Sequence, residues 1–304
     1  MDIATLLHIV PGDVVSLVGG GGKTSVLYSL ATALRQRYPS TPILVSTTTH
    51  MSQEQVSLFT EPKPGTPDQS TICHLDVDIT DMASVQQQLI TATVETPPCL
   101  LVTAQTGTPR VNYKGVKKRS GLPVSLIDSL VSDRTLKGWI VLVEADGART
   151  RPLKCPKEGE PQVPTCCTLL VPVVGLDCLG HPIESAYVHR PERVAALVNN
   201  YYTEGDMPER VTGESLVTGA IVSVVASSRN GLLKGVPPGG CRVSVVLNKV
   251  KEDQTRVAEE VALRILSEIK KGGNGFDSSV VVAGYTEPSV LAPIQCIGKY
   301  PNNE

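Results

Sequence analysis

A chain of 304 residues, 41% hydrophobic and 19% charged, is long enough to bury a sizeable core and too apolar to be disordered. Its net charge of −2 argues against a broad basic face, so neither nucleic acid nor an anionic membrane is an expected partner. Met1-Asp2-Ile3-Ala4 lacks a basic and apolar leader, no run of about 18 apolar residues occurs, and a cytoplasmic protein is expected.

Residues 14–18 form a short β-branched run between Pro11-Gly12 and four glycines, which predicts a buried strand. Gly19, Gly20, Gly21 and Gly22 are followed by Lys23, Thr24 and Ser25, and then by a helical pattern over 24–38 that Pro39 stops. Strand, glycine loop, Lys-Thr and helix in that order predict a phosphate cradle. Main-chain N–H groups and the helix N-terminus face an anion, Lys23 reaches the β/γ-phosphates, and the Thr24 hydroxyl ligates Mg²⁺. The longer G-x-x-x-x-G-K-[ST] pattern would need glycine at position 17, where Leu17 stands. The tract fits a shorter G-G-x-G-K-[ST] variant, similar to that of partition ATPases and metal-insertion GTPases, with Val18 in place of their frequent lysine. The plainer alternative is a glycine turn carrying a surface lysine.

A second strand over 42–45 ends in Ser46, Thr47, Thr48, Thr49 and His50. Ligands of open α/β sheets lie beyond the carboxyl ends of the strands. These side chains therefore either cap a helix over 52–58 or serve as a switch for phosphate, metal or substrate. Residues 60–70, with Pro62, Pro64, Gly65 and Pro67, predict an exposed insertion. Then come a helix over 82–92, a strand over 99–103, a polar loop over 108–123 and a short helix over 124–131.

The strand over 139–143 ends in Glu144-Ala145-Asp146-Gly147. Strand-end carboxylates beside a P-loop can hold Mg²⁺ and polarise water, and the glycine N–H can meet a γ-phosphate. Asp146-Gly147 is also a common turn pair. Arg149, Arg151 and Lys154 follow, as phosphate or acceptor ligands or as solvated loop charges. A strand over 168–174 ends at Gly175-Leu176-Asp177. His189 and Arg190, candidates for a substrate or switch role or simply structural hydrogen-bonders, precede a helix over 191–201 with Pro191 in its first turn. A helix is expected over 211–225 and a strand over 242–247 that ends in Asn248 and Lys249. An Asn-Lys-x-Asp tract there would read guanine, but position 251 is lysine, so the pair is assigned to base binding without a choice between ATP and GTP. An amphipathic helix over 253–271 and a strand over 279–283 follow, with a tail from Gly284. The eight cysteines form no C-x-x-C pair. Cys99 and Cys241 open apolar runs and suit the core, and Cys155, Cys166, Cys167 and Cys178 are a minority candidate for a soft-ligand site.

Several of these stretches together resemble one family. They are Ser16 to Thr24 (SLVGGGGKT), Leu44 to His50 (LVSTTTH), Val141 to Lys154 (VLVEADGARTRPLK), Val174 to Gly180 (VGLDCLG), His189 to Glu192 (HRPE) and Val246 to Lys249 (VLNK). They are similar to the YqeC family, accessory proteins of selenium-dependent molybdenum hydroxylases. The resemblance implies a nucleotide-binding factor in selenium cofactor handling, with a molybdenum hydroxylase or a selenium-carrying protein as partner.

The expected fold is a single α/β, P-loop NTPase-like domain over residues 1–304, with a largely parallel sheet and helices on both faces. The leading functional expectation is an Mg²⁺-dependent NTPase with ATP or GTP as its nucleotide. Lys23, Glu144 and Asp146 are its catalytic residues, and Thr24, Glu144 and Asp146 its metal ligands. Phosphoryl transfer to a small acceptor held by Thr47–His50 and Arg149–Lys154 is one alternative, and a nucleotide-gated delivery module with very slow hydrolysis is another.

Overall fold

Short apolar runs rich in β-branched residues can bury both of their faces only inside a parallel sheet that helices cover on each side. Five such runs are buried throughout: β1 (Val14–Gly19), β2 (Ile43–Thr47), β5 (Cys99–Ala104), β8 (Ile140–Glu144) and β10 (Leu169–Gly175). A computed structural model of the protein describes residues 2–61, 72–95, 99–105, 110–111, 117–202, 209–272, 277–287 and 290–298. The remaining strands of the main sheet are β3 (His50–Ser52), β4 (Cys73–Val77), β6 (Arg110–Val111), β7 (Lys117–Ser120), β12 (Arg242–Asn248), β13 (Ser278–Glu287) and β14 (Val290–Ile297).

The strands run in the order β14-β13-β12-β10-β1-β8-β2-β5-β7-β3, with β4 also on β5 and β6 on β7. From β13 to β5, and from β5 to β4, every pairing is parallel, and the antiparallel pairings fall at the two rims. The glycine-tract strand β1 thus lies mid-sheet, with β8 and its acids on one side and β10 on the other.

Alternate residues of β1 enter two cores. Val15 and Leu17 pack with α1 (Ile3–Leu6), α2 (Lys23–Arg37) and α3 (Gln53–Thr60) through Ile3, Leu27, Leu30 and Val56. Val14 and Val18 face α5 (Val124–Ser132), α6 (Pro191–Tyr201), α7 (Gly219–Ser227) and α8 (Thr255–Lys271) through Ile127, Val194, Val222 and Ile265. The fold is therefore α/β, with a mixed but mostly parallel sheet between two helical layers. Helix α4 (Met82–Glu95) joins β4 to β5 and adds Val85 and Leu89 to the second core.

Four readings of the sequence need correction. The expected helix over 211–225 begins only at Gly219, where the Thr218 hydroxyl accepts the Ile221 N–H as its cap, and Leu216 forms a bridge with Pro182. The expected loop over 108–123 contains β6 and β7, whose sequences Arg-Val and Lys-Lys-Arg-Ser give no apolar alternation. The expected tail continues β13 to Glu287 and returns as β14. β4 was not anticipated, nor was a separate two-stranded parallel sheet of β9 (Leu153–Lys154) and β11 (Val188–His189). The proline-rich stretch at 62–70 lies outside the described residues. Among the described residues no helix is long and apolar enough to cross a membrane.

Candidate functional site

The glycine tract turns where backbone presses on backbone. Gly21 has φ +71, and a Cβ there would stand 2.0 Å from the Gly175 nitrogen. A Cβ on Gly20 would stand 2.4 Å from the Arg151 carbonyl oxygen. Only glycine lets these segments meet. The close approach directs three of the tract's amides to partners within the protein. The Gly19 N–H donates to the Asp146 carboxylate at 3.1 Å, the Gly20 N–H to the Val173 carbonyl at 2.9 Å, and the Gly21 N–H to the Arg151 carbonyl at 2.9 Å. The first turn of α2, which starts at Lys23, leaves its leading amides without intrahelical partners. Its cap residue Gly22, at φ 105, brings no side chain to satisfy them.

Lys23 and Thr24 sit against the strand-end acids. Leu17 of β1 and Thr47 of β2 both lie level with Glu144 on β8, so the register delivers the carboxylate to the loop. The Thr24 hydroxyl donates to Glu144 Oε2 at 2.9 Å, and Lys23 Nζ lies 3.7 Å from Glu144 Oε1, 3.1 Å from Asp146 Oδ1 and 2.7 Å from the Gly19 carbonyl. Lys23 is only 4% exposed. Burial works to lower its pKa, but Asp146 and Glu144 raise it above the ordinary lysine value, so the ammonium stays charged. Burial pushes the Glu144 carboxyl above its usual range, against the pull of Lys23 and Thr24.

Asp146 is fully buried, and its oxygens are committed to Gly19, Lys23 and Lys154. Thr24 and Glu144 bring together a hydroxyl and a carboxylate, oxygen donors of the kind that suit a hard cation. Asp146 instead ties the loop to the strand. Among the described residues no group of three or more His, Cys, Asp or Glu side chains is placed to hold a metal by itself.

The sequence missed Gln55 and Glu160. Gln55 Nε2 donates to the Thr24 hydroxyl at 2.8 Å while its Oε1 accepts the Ser52 N–H at 2.8 Å, so one capping box both starts α3 and orients Thr24. The Ser-x-x-Gln spacing at 52–55 was the available signal. Glu160 takes a bidentate bond from Arg190, 2.8 Å to each oxygen, and Lys154 Nζ at 2.7 Å. Burial would raise its pKa, but the bonds from Arg190 and Lys154 take it down to about 2.

The other expected residues divide into braces and surface groups. The buried Thr47 hydroxyl donates to the Glu144 carbonyl at 2.8 Å and Thr48 to the Gln162 carbonyl at 2.8 Å, while Thr49 N–H donates to Thr47 Oγ1 at 3.1 Å. These bonds stiffen the strand ends, and Ser52, not this cluster, caps α3. His50 lies on β3 opposite Ser120. Asn248 is buried and donates to the Gly21 carbonyl at 2.7 Å, which supports the glycine loop, and Lys249 pairs with Asp177 at 2.9 Å. Arg149 is exposed at φ 50, and Arg151 donates to the Ser185 carbonyl. Lys154 is fully buried, not a solvated loop charge. His189 is driven down to about 4 by burial and by the cations of Arg190, Lys154 and Arg149, so it is neutral at pH 7. All eight cysteines are free thiols. Cys99 is in the core as expected, and Cys241 is half-buried.

This geometry lies mostly within the part of the chain that matches a known family. The sequence profile of the YqeC family, described as YqeC protein, matches residues 15–192, more than half of the chain and every site residue above except Asn248 and Lys249. A protein of Escherichia coli strain K12, named "Uncharacterized protein YqeC", is 27% identical over 256 residues, which cover 84% of this chain and 83% of that protein. The chain belongs to the YqeC family.

Proposed function

We propose that this protein binds a nucleoside triphosphate with Mg²⁺ through the α2 N-terminus and hydrolyses it. The reading is carried by one observation: Lys23 and Thr24, side by side in the first turn of α2, both meet Glu144 at the end of the neighbouring strand, at 3.7 and 2.9 Å. An ammonium, an uncapped helix start, a hydroxyl and a carboxylate converging in this way match what a phosphate tail and its cation need. The amides of Gly22, Lys23, Thr24 and Ser25 would receive phosphate oxygens, and the Lys23 ammonium would neutralise them. Mg²⁺ would be held by Thr24 and Glu144, and when bound it supplies further neutralisation of the triphosphate. Gln55 would keep the Thr24 oxygen aimed at that position. The family resemblance extends the proposal to a role as accessory factor in maturing a selenium-dependent molybdenum hydroxylase.

Calorimetric titration with Mg-ATP and Mg-GTP tests the binding step. Wild-type protein is expected to bind at least one of them, and Lys23→Ala to lose at least tenfold in affinity, about 1.4 kcal/mol. Equal affinity in the two proteins would remove the basis of the proposal. Free phosphate released without any added acceptor would separate hydrolysis from phosphoryl transfer.

A further inference from the structure

Six charged side chains alternate in sign from the glycine loop to the start of α6: Glu144, Lys23, Asp146, Lys154, Glu160 and Arg190. Successive separations are 3.7, 3.1, 2.9, 2.7 and 2.8 Å. Lys154, at the centre, is 0% exposed. An ammonium has three donors, and here they go to Asp146 at 2.9 Å, Glu160 at 2.7 Å and the Gly147 carbonyl at 2.7 Å.

This arrangement bears on what Lys23 is free to do. Asp146 has two cations, Lys23 and Lys154. A buried carboxylate left without a counter-charge is strongly unfavourable. With Lys23 as its sole cation, Asp146 would hold that ammonium in place. With Lys154 present, Asp146, Lys154, Glu160 and Arg190 stay balanced as two negatives and two positives when Lys23 turns away. We propose that Lys154 is a positioning residue of this site: the buried counter-charge that releases Lys23 from Asp146 to a bound phosphate. The inference rests on the phosphate-binding reading above.

Removal of Lys154 leaves Arg190–Glu160 as a matched pair and Lys23 as the one cation of the network facing both Asp146 and Glu144, so Lys23 is held at the acids and the expected loss is in ligand affinity as well as in stability. The probes are inorganic triphosphate with Mg²⁺ and whichever of Mg-ATP or Mg-GTP the wild type binds more tightly, titrated calorimetrically beside a thermal melt of each protein. Lys154→Met is expected to weaken both probes at least tenfold. Asp146→Asn in the same chain removes the carboxylate that holds Lys23 and is expected to restore affinity to within threefold of Asp146→Asn alone. Glu160→Gln is expected to lower the melting temperature while affinity stays within threefold. A merely structural lysine would give no such recovery, and affinity would follow the melting temperature across the set. If Lys154→Met does not fold, Lys154→Gln, which keeps a donor and loses the charge, carries the same expectation. Wild-type protein that binds neither probe overturns the phosphate reading itself. Wild type that binds while Lys154→Met and Lys154→Gln bind equally well overturns this inference alone.

Discussion

Glu160 gives the most quantitative handle on this charge network. Its carboxylate accepts two bonds from Arg190 at 2.8 Å and one from Lys154 at 2.7 Å, and its side chain is 17% exposed, so solvent screening is slight. The folded-state pKa is about 2 against an ordinary value of 4.5. A depressed carboxylate stabilises the fold above its unfolded pKa, and that stability fades as pH falls toward the folded value. At about 1.4 kcal/mol per pKa unit, the shift corresponds to roughly 3 kcal/mol at neutral pH, of which roughly 2 kcal/mol is gone by pH 3. Urea unfolding of wild type and Glu160→Gln at pH 7, 5, 4 and 3 isolates the effect. The stability gap between the two proteins is expected to narrow by roughly 2 kcal/mol between pH 7 and pH 3, with most of the change below pH 4.5. A gap that stays constant, or widens on acidification, would refute the assignment of Glu160 as a strongly paired carboxylate.

Other expectations follow from single contacts. Gly21→Ala places a methyl 2.0 Å from the Gly175 nitrogen at φ +71, and a loss of about 3 kcal/mol in urea unfolding is expected from the clash and the left-handed backbone together. Asn248→Ala strips the Gly21 carbonyl of its 2.7 Å donor, with an expected cost of about 1–3 kcal/mol by the same measurement. Glu144→Gln is expected to abolish the dependence of nucleotide affinity on added Mg²⁺ while Mg-free binding persists, as read by titration with and without a chelator. Ser52→Ala should destabilise α3 by about 1 kcal/mol, seen in the melting temperature.

What the sequence disclosed, and what it withheld, follows from the range of the forces involved. The central strands were legible because burial on both faces demands unbroken apolar runs, as at 140–143 and 169–174. The meeting of Lys23, Thr24 and Glu144 could be anticipated because β1 and β8 each end in recognisable chemistry, although their adjacency became visible only in the sheet order. The destination of the glycine amides was not legible: Gly20 and Gly21 donate to Val173 and Arg151, carbonyls far along the chain whose identity no local pattern encodes. Glu160, and the burial of Lys154, were hidden for a related reason, since a charged residue in a loop-like stretch looks solvated until its partners close over it. The strands at 110–111 and 117–120 escaped because two and four residues held by backbone pairing are too short to show an apolar alternation. The 211–218 segment carried helical spacing that the Thr218 cap and the bridge at Leu216 overrode.

The two rims of the sheet, where its pairings turn antiparallel, bear on how copies of this chain behave side by side. At one rim the outermost strand, β3, is three residues long, and its neighbour β7 is Lys117-Lys118-Arg119-Ser120. At the other, β14 carries Pro293, which has no N–H to offer, opposite a break in register at Val282/Ala283. Brevity, like charge and a missing donor are features that discourage one sheet from extending another. Among the described residues, a crowded solution of this protein therefore meets blunted borders at β3 and at β14.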